Sequence, residues 1–287
     1  MSALVLFVAA LAFAAPAHAL TSAEIDAWWS FDDPSASETR FRAERARWPA
    51  SSGEALEIDT QIARTLGLQQ RFDAAHALLD AVSASLWAAP PRVDVRFRLE
   101  RGRVANSSGA PAQAMEWFRH ALARSDDDRA PEAEFYRIDA LHMLGIAAPA
   151  DERAAWNRRA LDAAEAATEP RARGWRASIL NNLGWSLIDR GDAAGALDAW
   201  RRALAAREAS GDTSRIRVAR WTVARGLRAT GRLDDAERMQ RELAAETESA
   251  GAPDPYVYDE LAEIARARGD AVRAVDWTDK AKAARTR

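Results

Sequence analysis

The residues able to do catalytic or metal chemistry are few. They are His76, His120 and His142, outside the amino-terminal apolar run, and the acidic run Asp126-Asp127-Asp128. A helical zinc site needs two histidines four residues apart on one face, with a glutamate between them as base. No two of these histidines have that spacing. Consecutive aspartates do not converge on a cation without further ligands, so the run reads as a solvated helix end and linker. No phosphate-cradling G-x-x-x-x-G-K-[ST] loop, G-x-G-x-x-G turn or G-x-S-x-G nucleophile elbow occurs. Cysteine is absent, which removes thiol nucleophiles, disulfides, thiolate zinc sites and iron–sulfur clusters together. The chain therefore reads as non-enzymatic, with no catalytic residues, no metal and no cofactor. An enzyme with an unrecognised site is the alternative from that class.

The elements that would position any other chemistry come from composition and spacing. Of 287 residues, 48% are hydrophobic and 29% charged, a balance that buries a core and excludes wholesale disorder. A net charge of -3 argues against a general nucleic-acid binder. Residues 21–90 carry net -5 and residues 171–287 net +4, so an acidic ligand or end-to-end stacking suits the C-terminal half.

A spacing recurs along the chain. One unit reads Leu183-Gly184, Leu187, Gly191, Ala196, Trp200 and Ala203-Leu204. Others read Gly102, Ala105, Gly109, Ala114, Phe118 and Ala121-Leu122; Ala224, Leu227, Gly231, Ala236 and Leu243; and Ala262, Ala265, Gly269, Ala274 and Ala281. A further unit has Gln70 at the turn: Ala63, Leu66, Phe72, Ala75, Leu79 and Val82. Unit starts near 56, 95, 177, 217 and 255 give a period of 38–43 residues. Two helices joined by a tight turn approach closely only where both offer small side chains, and larger residues fill the gaps beside them. One such hairpin cannot bury its apolar face, but stacked neighbours can.

These residues resemble the tetratricopeptide repeat over most of 54–287. The family repeat is shorter, about 34 residues. Leu180-Asn181-Asn182-Leu183-Gly184 followed by Arg201-Arg202-Ala203-Leu204-Ala205-Ala206-Arg207-Glu208 is similar to the longer form of kinesin light chains. The resemblance implies an all-α, right-handed superhelical solenoid of about six helix-turn-helix hairpins. The pairs fall at 54–68 with 71–87, 91–107 with 110–124, 130–148 with 150–167, 171–190 with 192–208, 213–230 with 232–248 and 253–268 with 270–285. The third pair departs from the pattern. Gly145 to Ala160 is four residues shorter than the matching interval, Pro149-Ala150-Asp151 replaces the turn glycine, and Asp151 is placed to cap the second helix. Residues 20–53 read as an N-terminal helical cap or degenerate repeat, with capping boxes at Thr21/Glu24 and Ser35/Glu38.

The resemblance also implies a concave groove lined by the first helices. Family groove positions map onto Arg64, Arg103, Asn106, Asn181, Trp185, Trp221, Arg225 and Arg228, with His142 beside them. Asparagine both donates to and accepts from peptide backbone, arginine grips carboxylates, and tryptophan offers flat apolar contact. Asn181 and Trp185 are four apart on one helix, and Trp221 and Arg225 repeat that spacing on the next, forming a patch suited to an acidic residue beside an apolar one. Packing against the next repeat is the competing account of the two tryptophans. Trp117, Trp156 and Trp200 are expected in the core, and Trp28 and Trp29 over the first hairpin.

The amino terminus carries a targeting signal. Residues 2–17 are uncharged, and Ala17-His18-Ala19 ends the apolar run with the small residues a signal peptidase requires. Residues 1–19 are thus expected to be removed. The chain is expected to be exported, periplasmic or secreted, as a scaffold for a peptide or protein ligand, with no nucleic acid and no membrane span after cleavage. Self-association into a structural element, or tethering by an uncleaved segment 1–19, are the other readings.

Overall fold

A computed structural model of the chain describes residues 19–128 and 130–286, so residues 1–19, the expected export signal, lie almost wholly outside the described residues. Among those described, every regular element is helical. Two compact units divide between Tyr136 and Arg137. Each is a stack of helix hairpins, as the repeat spacing predicts.

The N-terminal unit runs from α1 (Ser22–Ala27) and α2 (Pro34–Arg45) through the hairpins α3 (Gly53–Leu68) with α4 (Phe72–Ser83) and α5 (Pro91–Ser107) with α6 (Pro111–Asp127). Helix α7 (Ala133–Ala147) begins in it. The first capping box forms: the Glu24 N–H donates to the Thr21 hydroxyl at 3.2 Å, and the Thr21 N–H donates to the Glu24 carboxylate at 2.9 Å. The second does not. Pro34 starts α2 one residue early, Asp33 accepts from the Ala36 N–H at 2.9 Å, and Ser35 lies inside the helix. Trp28 and Trp29 meet Phe41 edge-on at 5.9 and 5.1 Å and close the core around Ile25, Ile58 and Leu79. Helix α4 stops at Ser83, short of residue 87, and a 3-10 turn at Leu86–Ala88 leads to the prolines that open α5.

The C-terminal unit holds the rest of α7, then α8 (Ala150–Ala166), α9 (Pro170–Arg173), α10 (Arg176–Ile188), α11 (Ala193–Ser210), α12 (Thr213–Ala229), α13 (Leu233–Ser249), α14 (Pro255–Ala267) and α15 (Ala271–Arg285). The single helix expected over 171–190 is two, broken at Gly174 and Trp175. Asp151 does not cap α8. The N-cap position is Pro149, with no side-chain bond, and Asp151 sits in the first turn, where a negative charge suits the helix N-terminus.

Close contacts fix the hairpin register. Gly102 faces Phe118 and Gly184 faces Trp200, in both cases sixteen residues on, while Gly145 faces Asn157, twelve residues on. The four residues missing from the third pair are therefore lost between the contact and the second helix, from the end of α7 and from the turn together, and the helix contact is kept. Asn157 rather than Trp156 takes the large-residue position. Trp156 lies outside the core, donating to Glu152 at 3.2 Å and covered by Arg159. Trp200 is fully buried and Trp117 half-buried against Phe97. The turn residues Gly109, Gly191, Gly231 and Gly269 have φ between 76° and 89°, and Gln70 adopts the same left-handed form at 60°.

Candidate peptide-binding surface

The helix register decides which first-helix side chains meet. Arg64 follows Ala63 by one residue, and Glu100 precedes Gly102 by two; Arg225 follows Ala224 and Glu260 precedes Ala262 in the same way. Each arginine reaches the glutamate of the next first helix, at 3.8 Å for Arg64–Glu100 and 3.4 Å for Arg225–Glu260. Both glutamates are buried. The pairing is thus a repeated staple between neighbouring hairpins. Such a carboxylate is tolerated in the interior because it is paired.

In the C-terminal unit the four residues of the expected patch come together. Trp185 of α10 and Trp221 of α12 lie 6.2 Å apart between ring centroids, and the Arg225 guanidinium sits 5.2 Å from Trp185 and 5.9 Å from Trp221. Asn181 is on the same face of α10, half-buried, and its carbonyl accepts the Trp200 indole N–H at 3.2 Å. Trp185 also meets Trp200 edge-on at 5.2 Å. Both accounts of Trp185 and Trp221 therefore hold at once: each ring packs on a neighbouring repeat and each remains half-exposed. Arg228 donates to Glu260 beside Arg225. Glu260 offsets part of the charge of the two arginines, which lowers what they offer an acidic ligand.

Trp221 is also one wall of an open cavity of about 400 Å³ between α12, the end of α13 and the start of α14. Val218, Leu243, Tyr256 and Val257 complete its apolar lining, with Ser214, Arg217, Thr247 and Asp254 as the polar members. Val218 is 60% and Tyr256 64% exposed, so two large apolar side chains flank the cavity in solvent. The Trp221 indole donates to the Tyr256 carbonyl at 3.0 Å, which ties the patch to the cavity wall. A smaller cavity of about 260 Å³ is lined by Trp185 and, among others, by Asn182, Asp189 and Arg153. Val218, Arg217 and Tyr256 were not among the residues expected from sequence. A signal for two of them existed, since Ser214, Arg217, Val218, Trp221 and Arg225 follow helical spacing on one face of α12.

Arg64, Arg103 and Asn106 belong to the N-terminal unit. Arg64 lies 5.3 Å from both Trp29 and Phe31, which stack on each other at 4.7 Å. Arg103 pairs with Glu100 at 2.6 Å, and Asn106 is half-buried in the last turn of α5. His142 is buried against Trp175, ring centroids 4.9 Å apart. The deepest charges of the N-terminal unit lie on α3 and α5. Glu57, fully buried, is 2.9 Å from both Arg92 and Arg96. Burial pushes its carboxyl above the ordinary range, against the pull of Arg96 and Arg92. Arg96 also donates to the Tyr136 hydroxyl at 2.8 Å, so the cluster reads as an internal brace. Among the described residues no three acidic or histidine side chains converge as a metal site would require, and no helix is long and apolar enough to cross a membrane.

Residues 176–210, the α10–α11 hairpin, match the family model of the tetratricopeptide repeat. No curated protein matches the chain in sequence. Among solved structures, a signal transduction ATPase of the STAND class with a tetratricopeptide repeat sensor, from Pyrococcus horikoshii, aligns with a TM-score of 0.65 and 14% identity over 88% of this chain. The chain spans 38% of that protein's length. A putative kinesin light chain protein of nearly identical TPR-like repeats, from Podosopora anserina, aligns at 0.57 and 16% identity over 71% of this chain and 99% of its own. A Rap protein complexed with Competence and Sporulation Factor aligns at 0.57 and 14% identity over 92% of this chain and 76% of its own. The likeness is one of fold, and it agrees with the repeat type read from the sequence.

Proposed function

We propose that the chain is an exported, non-enzymatic protein-interaction scaffold that holds a peptide segment or protein surface on the first-helix face of its C-terminal unit. The observation that carries this reading is Trp221, which is at once part of the Trp185–Arg225 platform and a wall of the apolar cavity. Flat aromatic surface beside an open apolar hollow is what a partner side chain needs for tight, desolvated contact. The Rap relative, solved in complex with Competence and Sporulation Factor, supports the use of such a fold in binding. The test is capture of a partner from an envelope fraction by the tagged mature protein. Trp185→Ala and Val218→Asp should both lose a partner that the unaltered protein retains. A partner held equally by all three would move the site elsewhere.

Export rests on the uncharged run 2–17 and the Ala17-His18-Ala19 site. The residues that follow the site belong to the folded unit. Leu20 is buried, its carbonyl accepts from Arg92, and Thr21 caps α1. N-terminal sequencing of the protein recovered from its native compartment should begin at Leu20; an intact Met1 refutes processing.

A further inference from the structure

The cavity between α12 and α14 has more definite chemistry than a generic groove. Most of its polar lining is already committed. The Thr247 hydroxyl donates within its own helix, to Leu243 and Ala244 carbonyls at 3.1 Å. Asp254 accepts from the Tyr256 N–H at 2.9 Å as the cap of α14, and the Trp221 indole N–H is taken by the Tyr256 carbonyl. Arg217 differs from these, and from the other arginines of α12. Arg215 pairs with Asp212, Arg220 with Glu242 and Glu246, and Arg225 and Arg228 with Glu260. Arg217 is exposed and has no hydrogen bond or ion pair among the described residues, yet its side chain lines the cavity.

We infer that the cavity is a socket for one bulky apolar side chain of the bound segment, and that Arg217 reads a carboxylate on the residue next to it. The inference rests on the scaffold reading above and adds the class of segment recognised. The volume lies in the range of sites that enclose small ligands, so it admits the largest apolar side chains. The walls offer that side chain mostly carbon, and Thr247, Asp254 and the Trp221 indole are already bonded, so these groups lose no partner when water leaves. The free guanidinium at the lining supplies the charge complementarity. Acid recognition therefore moves from Arg225, whose charge is partly offset by Glu260, to Arg217, eight residues earlier on α12.

Two measurements test this on the whole mature protein. The first uses a matched pair of probes, 8-anilinonaphthalene-1-sulfonate and the uncharged N-phenyl-1-naphthylamine, read by fluorescence titration. One saturable site preferring the sulfonate by about tenfold is expected, the worth of one charge-assisted contact. Arg217→Glu should erase that preference while the uncharged probe still binds. Val218→Asp should weaken both probes, and Val272→Asp, exposed on α15, should change neither. The second is selection from a random peptide library displayed on phage. Selected peptides should share a bulky apolar residue beside Asp or Glu and should lose binding to Arg217→Glu. A probe preference that survives Arg217→Glu overturns the inference. So do selected peptides without the apolar–acid pair, or peptides that bind Arg217→Glu unchanged, and in those cases the scaffold reading stands. A selection that yields no binding peptide overturns the peptide reading itself and the socket with it.

Discussion

Gly184 and Trp200 meet so closely that a Cβ on the glycine would lie 2.3 Å from the indole nitrogen. The indole is fully buried and donates to the Asn181 carbonyl, so it has no room to withdraw. Gly184→Leu should overfill this contact and destabilise by about 3 kcal/mol or more, with even Gly184→Ala costing roughly 1–2 kcal/mol. Urea denaturation followed by far-ultraviolet dichroism measures both. Trp185→Ala, which removes a half-exposed ring, should cost less than Gly184→Leu and leave helicity nearly intact. If the two variants melt alike, Trp185 belongs to the core and the surface reading loses its centre.

The turn positions offer a cleaner backbone comparison. Gln70 holds φ at 60°, and a Cβ at Gly191, with φ at 80°, would touch nothing within 4 Å. Left-handed backbone costs a residue with a Cβ about 1 kcal/mol, and glycine gives back part of this through unfolded-chain entropy. Gln70→Gly should therefore raise stability by about 0.5 kcal/mol, and Gly191→Ala should lower it by a similar amount, about 0.5 kcal/mol. The urea midpoint should shift while the slope stays constant.

These turns show why so much of the fold is legible in the sequence. The interval from small residue to turn is constant because it is the length of a helix from contact to reversal, and Gln70 fits it despite its side chain. The break at Gly174 escaped because the residues on both sides keep helical periodicity. The capping-box spacing of Ser35 and Glu38 says nothing of the proline one position earlier, which starts the helix and leaves Asp33 as its cap. The site was legible only as a face. That Arg225 meets Glu260, or Arg64 Glu100, depends on the stagger between helices some 35 residues apart in sequence. No pattern within one helix carries that stagger. The stripe from Ser214 to Arg225 was visible, but the cavity beside it is made by α13 and α14.

Glu38 gives a pH signature for the N-terminal unit. Burial alone would raise its pKa, but hydrogen bonds from Gln69 and Arg42, and the charges of Arg42 and Arg71, hold it below the usual carboxylate range. A depressed folded-state pKa gives stability that is present above the unfolded value of about 4.3 and is lost as pH falls through the folded value. Glu38→Gln should thus be less stable than the unaltered protein by a constant amount from neutral pH down to about 5. The gap should narrow in more acid solution. Denaturant midpoints across that range measure it, and a gap that widens on acidification would reverse the assignment.

Glu260 separates the two arginines that share it. It is 2% exposed, and Arg228 contacts both its oxygens while Arg225 reaches one at 3.4 Å from a more exposed position. Removing a partner from a buried pair is costly because the remaining charge stays desolvated, but here a second cation remains. Arg228→Ala should therefore destabilise by about 2 kcal/mol and Arg225→Ala by less than about 1 kcal/mol, the latter discounted for solvent screening. The double variant should lose more than the sum, since it leaves a buried carboxylate without a cation. Adding Glu260→Gln to the double variant should restore part of that loss, because a neutral amide in the same place has far less to desolvate. Strict additivity would mean that the arginines act through their stems alone. The same variants bear on binding: because Glu260 offsets part of the Arg225 charge, Arg225→Ala should weaken an acidic ligand less than the matched truncation Arg217→Ala does, as isothermal titration would show.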